Sequence, residues 1–240
     1  MRKLSAGLFY IFCDEKYLAD GGNKRFLTGH IALPQDAWNS ISPTHRELLE
    51  PSGMSRLARI ERLLADYDGI GLINFADVSA NLLLRGERDS TGDISGMSRM
   101  DSIWSVTIAL GIAQTLARLM NRGLQVENAD VYYDTREIKE QHRQALSKTV
   151  IRTLAEVIKQ AVREGYSHRG NTPKVRRFLD IPKAPKGNKP NKFQSGIAVA
   201  HVLLQNWKHI FEHGATGNLD VHNSSEDVAN YLSHFKIIVK

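Results

Sequence analysis

Two apolar runs of this chain end in acid: Gly7-Leu-Phe-Tyr-Ile-Phe-Cys-Asp14-Glu15 and Val131-Tyr-Tyr-Asp134. A run rich in aromatic and β-branched residues reads as a strand, and one that stops at a carboxylate delivers that acid to the edge of a sheet. Two such ends side by side would make a cation site. A late apolar segment, Ile197-Ala-Val-Ala-His201-Val-Leu-Leu, adds an imidazole that could join them on one divalent metal. Each acid alone also has an ordinary explanation, because Asp is common after strands as a turn former or helix N-cap. The metal reading needs all three stretches together.

The elements that would position these residues follow from periodicity and turn signals. After the first strand, Gly21-Gly22-Asn23 marks a turn, and Arg25 to Leu33 reads as the returning strand of a hairpin. Pro34 suits the first turn of a short helix over Gln35 to Ile41. Ser42 to Gly53 reads as a loop, and Leu57, Ile60, Leu63 and Leu64 fall at helical spacing between Ser55 and Tyr67. Gly69 to Val78 predicts a third strand ending near Asp77. Arg85 to Gly96 is a polar excursion before a buried helix, Ile103 to Met120, that Asp101 or Ser102 could cap. Glu127 to Asp134 is the fourth strand and Glu137 to Glu164 a long amphipathic helix. Lys174 to Ile181 is a fifth strand at a sheet edge, Pro182 to Phe193 an extended loop, Gln194 to Phe211 the late helix, and Glu226 to Phe235 a closing helix capped by Ser224 or Ser225. The expectation is an α/β fold over residues 1–240: one domain, a mixed five-stranded sheet with flanking helices, and helical insertions at about 42–66 and 80–122. A right-handed crossover would set the fourth strand parallel to the first and bring Asp14 and Asp134 to one edge.

This arrangement resembles the RNase H-like fold. It is most similar to a large uncharacterised prokaryotic family of that superfamily, whose members open with a strand ending Tyr-x-Asp-Glu-Ser-Gly and carry a late helix reading roughly Gln-x-Ala-Asp-Leu-x-Ala. Here Tyr10-Ile-Phe-Cys-Asp14-Glu15 matches the opening strand loosely, and Val131-Tyr-Tyr-Asp134 falls where the superfamily places its second acid. Lys16-Tyr17 stand in place of Ser-Gly, and His201 in place of the helix Asp. The resemblance implies a metal-dependent nuclease that cuts phosphodiesters in DNA or RNA with two divalent ions, Mg²⁺ or Mn²⁺, held by carboxylates because hard cations prefer oxygen. Asp14 would bridge the ions and Asp134 would bind one of them. Asp77 is the candidate for a further acid, with Glu15 and Asp101 as competitors.

His201 stays open between several roles. As a neutral ligand it would shift preference from Mg²⁺ towards Mn²⁺; it could instead act as general base or proton donor. A bland alternative is a surface helix histidine bonded to a backbone carbonyl or to Gln205. Because the change removes a negative charge, it equally supports a degenerate site in a nucleic-acid-binding or partner-binding protein. The family resemblance separately implies a structural or interaction subunit of a larger prokaryotic assembly, such as one for defence against mobile elements.

Net charge is +6 with pI near 9.4, which favours polyanionic partners. From Arg163 to Lys192, nine Lys and Arg face only Glu164 and Asp180, so the rest of the chain is close to neutral. Arg176, Arg177, Lys183, Lys186, Lys189 and Lys192 are the candidate nucleic-acid contacts. The last four fall every third residue, spaced about 9 Å apart on an extended backbone, as a row that follows phosphates without reading bases. The same row equally describes a solvated surface loop. His209 and His213 are spaced i, i+4 but have no acidic third ligand near, and a helix-dipole role suits them better. No Gly-rich dinucleotide loop and no Ser or Cys nucleophile motif is present. Cys13 is the lone cysteine, so no intramolecular disulfide forms and a reducing cytoplasm is expected. The helix from Ile103 is interrupted by Ser105, Thr107, Gln114 and Arg118, so no membrane span is expected.

Overall fold

The computed structural model describes residues 7–20, 23–41, 56–78, 99–134, 173–182, 190–213 and 217–229, with positions 155 and 159. Within them the chain is an α/β structure: a six-stranded mixed sheet with helices on both faces. The strands are β1 (Gly7–Asp20), β2 (Asn23–Pro34), β3 (Ile70–Val78), β4 (Val126–Asp134), β5 (Lys174–Ile181) and β6 (Leu219–Asn223), and their order is β5-β4-β1-β2-β3-β6. The helices are α1 (Gln35–Ile41), α2 (Arg56–Asp66), α3 (Arg99–Asn121), α4 (Lys192–Gln205) and α5 (Trp207–His213).

Alternation along β1 explains the layering. Phe9, Ile11 and Cys13 pack beneath α3, whereas Tyr10 and Phe12 face α4. Both faces are buried, which is why the opening run is apolar almost without interruption. The β1–β2 hairpin is antiparallel out to Asp20 opposite Asn23, and β4 lies parallel to β1. α2 buries Leu57, Ile60, Leu63 and Leu64 against the α4 face, the stripe its spacing predicts.

Three features differ from the sequence expectation. First, β1 does not stop at Asp14. It runs on to Asp20 because β2 keeps pairing with it, and the strand that ends at this level is β4, whose last pair with β1 is Cys13 with Tyr133. Second, the sheet has a sixth strand, not five, because Leu219–Asn223 adds to β3 in parallel. It is secured by Arg118 and Arg122 at the end of α3, which bond the side chains of Asp220 and Asn218, with Arg122 Nη2 also donating to Gly217 O at 2.6 Å. Third, the late helix is two helices. Asn206 leaves the helical register (φ −101°, ψ 14°), its backbone N–H turning to Leu203 O and Val202 O while its side-chain amide donates to Val202 O at 2.8 Å.

The closing helix is described over 225–229, opening at Ser224, whose carbonyl accepts from Val228 N at 2.8 Å. The expected loops at 42–53 and 85–96 lie outside the described residues, as does the long helix expected over 137–164 save positions 155 and 159. Among the described residues no helix is long and apolar enough to cross a membrane.

Candidate functional site

Asp14 sits at an inside corner of the sheet. Beyond the Cys13–Tyr133 pair β4 ends, while β1 and β2 continue as a projecting ledge. By alternation Asp14 shares the α4 face with Tyr10 and Phe12, and Asp134 shares it with Tyr132. The two acids therefore occupy the next rung together on neighbouring strands, and the charge of Asp134 makes Asp14 harder to ionise.

α4 supplies the third group. Its start is fixed by a capping box: Asn191 Oδ1 accepts from the backbone of Phe193 and Gln194, and Gln194 Oε1 accepts from Asn191 N at 2.8 Å. Two glycines let the helix descend onto the sheet. A Cβ at Gly196 would meet the Phe12 ring at 2.3 Å, and one at Gly29, the β2 partner of Asp14, would meet Ala200 O and Leu204 at 2.9 Å. This close approach brings His201 Nδ1 to 2.6 Å from Asp14 Oδ2.

A carboxylate only accepts, so Nδ1 carries the proton and donates, which fixes the tautomer and leaves Nε2 as the free lone pair of the neutral ring. The imidazole is 55% exposed while the Asp14 side chain is 7% exposed. Burial pushes the Asp14 carboxyl above the usual carboxylate range and the charge of Asp134 adds to this; the Glu15 backbone N–H and His201 pull it back down. An exposed, oriented imidazole over a buried acid can take a proton from water or a hydroxyl, and two carboxylates abreast can hold a hard cation.

The other candidates lie elsewhere. Glu15 points to the opposite face and accepts from Trp104 Nε1. Asp77 pairs with Arg25 at 2.5 Å, level with Leu18 of β1 and two strands away, which puts it roughly 16 Å from Asp14 by strand geometry. Asp101 lies in the first turn of α3, and its side chain is outside the described part. Among the described residues no group of three or more His, Cys, Asp or Glu is arranged to hold a metal ion.

The basic candidates divide as well. Between Ala129 and Asp130 the β4–β5 register slips by one residue, a bulge that turns Arg176 onto the buried Asp130 with bonds of 3.0 and 2.7 Å. Arg177 remains exposed on the edge strand. Lys192 Nζ donates to Asn39 Oδ1 at 3.1 Å and lies over the Phe193 ring. Lys183, Lys186 and Lys189 are outside the described residues. His209 is exposed on α5, and the side chain of His213 is not described.

Sequence reasoning passed over Gly29, although a glycine inside a strand is a standing signal of close backbone approach. It also passed over Arg25 and Trp207, whose guanidinium-over-indole contact of 5.8 Å joins segments 182 positions apart and leaves no local pattern. No protein-family model matches the chain, and no curated protein matches it.

Proposed function

We propose that the chain is a metal-dependent nuclease of RNase H-like fold, working at Asp14, Asp134 and His201. One observation carries the reading: two carboxylates from the ends of parallel β1–β4 pairing share a face and a rung, directly under a helix that adds an oriented imidazole. The hairpin order with β4 parallel beside β1 is the arrangement that the resemblance to that fold asks for. The sixth strand is an addition at the far edge from β4.

Mg²⁺ commonly keeps several waters and binds through one or two carboxylates plus substrate phosphate, so Asp14 and Asp134 fit a single Mg²⁺ or Mn²⁺. Such an ion, when bound, would polarise a phosphoryl oxygen and lower the pKa of water. Asp14 would do two jobs: its Oδ2 orients His201, and its carboxylate together with that of Asp134 would hold the cation. His201 Nε2 receives the proton of the attacking water, and Asp14 stabilises the imidazolium that forms. The second ion of a two-ion scheme needs a further acid from outside the described residues.

Purified protein incubated with single- and double-stranded DNA and RNA, under Mg²⁺ and under Mn²⁺, should cleave at least one of them. Asp14→Asn should lower the rate at least about a hundredfold, while leaving the fold as stable or slightly more so, because it removes a desolvated charge facing another carboxylate. His201→Ala should lower it about ten- to a thousandfold with metal binding retained. Absence of cleavage on all four substrates, or cleavage that survives Asp14→Asn, refutes the assignment.

A further inference from the structure

The ledge that projects past Asp14 is not bare. Lys16 lies two residues beyond Asp14 on the same face, about 7 Å along the strand. One further step brings the level of Leu18 and its partner Arg25, whose guanidinium lies 4.7 Å over the Phe75 ring and 5.8 Å over Trp207. α5 covers this end of the face. Trp207 is only partly buried, Phe211 is 52% exposed, and Lys208 stands 5.8 Å over the indole. Trp207 and Phe211 stand edge to face at 6.5 Å, and Phe75 supports Phe211 from below at 5.9 Å.

Phe211 has the greatest exposure of the large hydrophobic side chains described, and the two rings it packs against, Phe75 and Trp207, carry Arg25 and Lys208. A core has no use for that combination. Aromatic faces interleaved with Lys and Arg are what a flexible polyanion with exposed bases requires: bases stack on the rings and phosphates track the cations. A duplex hides its base faces and gains nothing from the rings. An acidic peptide would use the cations but has no planar groups to match the exposed Phe211 and the half-buried Trp207.

We propose that α5 and the ledge form a stacking platform for single-stranded nucleic acid, with Trp207 and Phe211 holding bases while Lys208, Arg25 and Lys16 lead the backbone to Asp14. Asp77 offsets part of the Arg25 charge and fixes the guanidinium in place beneath the indole. This inference rests on the nuclease reading for its direction of travel, but binding is measured without cleavage, so the two fail separately.

The test uses the full chain carrying Asp14→Asn, in EDTA, with fluorescein-labelled single-stranded DNA and RNA, the matching duplexes, and an abasic oligomer of the same length. Single strands should bind more tightly than duplexes. Phe211→Ala, at an exposed position, should weaken single-strand binding about 5- to 100-fold and leave abasic binding unchanged. Because Trp38 and Trp104 are fully buried, quenching of tryptophan emission on binding reports Trp207. Lys208→Gln should weaken intact and abasic oligomers alike. Duplex binding equal to or tighter than single-strand binding overturns the proposal, as does equal loss of intact and abasic affinity in Phe211→Ala. Absence of oligonucleotide binding also overturns it and turns attention to a protein partner for α5. Loss of cleavage in the wild type with these binding results intact would sink the nuclease reading alone.

Discussion

Two histidines meet the same short segment of β1 from opposite faces and have opposite roles. His201 lies exposed with one nitrogen tied to Asp14. His30 is fully buried on the other face, with Nδ1 3.2 Å from Cys13 Sγ and Nε2 2.8 Å from Thr28 Oγ1. The Thr28 hydroxyl spends its proton on Asn74 O, so Nε2 must donate to it and Nδ1 must accept from the thiol. Burial lifts the Cys13 thiol well above its ordinary range, so that proton stays available. The chain of bonds requires a neutral ring, and burial lowers His30 from the ordinary 6.5 to about 3. A depressed pKa of this kind gives stability that is whole above 6.5 and drains away as pH falls towards about 3, because only the unfolded chain takes up the proton. At about 1.4 kcal/mol per pH unit, the loss is on the order of 5 kcal/mol. Denaturant melts at intervals from pH 7 to pH 3.5 should show this decline in the wild type and a shallower one in His30→Gln. Parallel curves would place the acid sensitivity in other groups.

At the scale of elements, what the sequence made legible was whatever is encoded locally. Alternation and a Gly-Gly-Asn turn marked the β1–β2 hairpin; helical spacing marked α2; apolar runs marked β3 and β4. Asp14, Asp134 and His201 could be singled out because each stands at the polar end or on the polar side of an apolar run. What could not be read were features decided by a distant partner. β1 continues past Asp14 only because β2 is there to pair with it, and β6 is five residues whose strand character comes from β3 and from Arg118 and Arg122 at and just past the end of α3. The break at Asn206 has a local cause in the amide that caps its own helix, but Asn is tolerated in helix interiors too often for the residue alone to mark it. The packing of α4 on Gly29 is of the same non-local kind and has a consequence for the site. In Gly29→Ala the new methyl meets backbone oxygen, so α4 must lift rather than rotate a side chain. We expect about 1–3 kcal/mol of lost stability by chemical denaturation, from overpacking. Cleavage should fall at least tenfold although Asp14, Asp134 and His201 are all present, because His201 is drawn away from its acid. Gly29→Ala with unchanged turnover would show that the dyad tolerates a raised helix.

For the molecule as a whole, the charge surplus that sequence reading placed in one stretch is put to different uses by the fold. Arg176 serves structure: it is the counter-ion of Asp130, whose side chain is 2% exposed, and the bond holds the Arg176 guanidinium protonated beyond its already high range. Arg177, its neighbour across the bulge, is exposed at the sheet edge. The two adjacent arginines should therefore separate cleanly in experiment. Arg176→Ala strands a buried carboxylate, so the melting temperature should drop by several degrees while the salt dependence of oligonucleotide binding by the folded protein keeps its slope. Arg177→Ala should leave the melting temperature within a degree or so, as surface substitutions do. If Arg177 contacts phosphate, that variant lowers the slope of log K against log salt for single strands by about 0.7, the contribution of one released counterion. Binding titrations at four salt concentrations beside a thermal melt distinguish the pair, and a reversed pattern, with Arg176 setting the slope and Arg177 the stability, would mean that the bulge is turned the other way in solution.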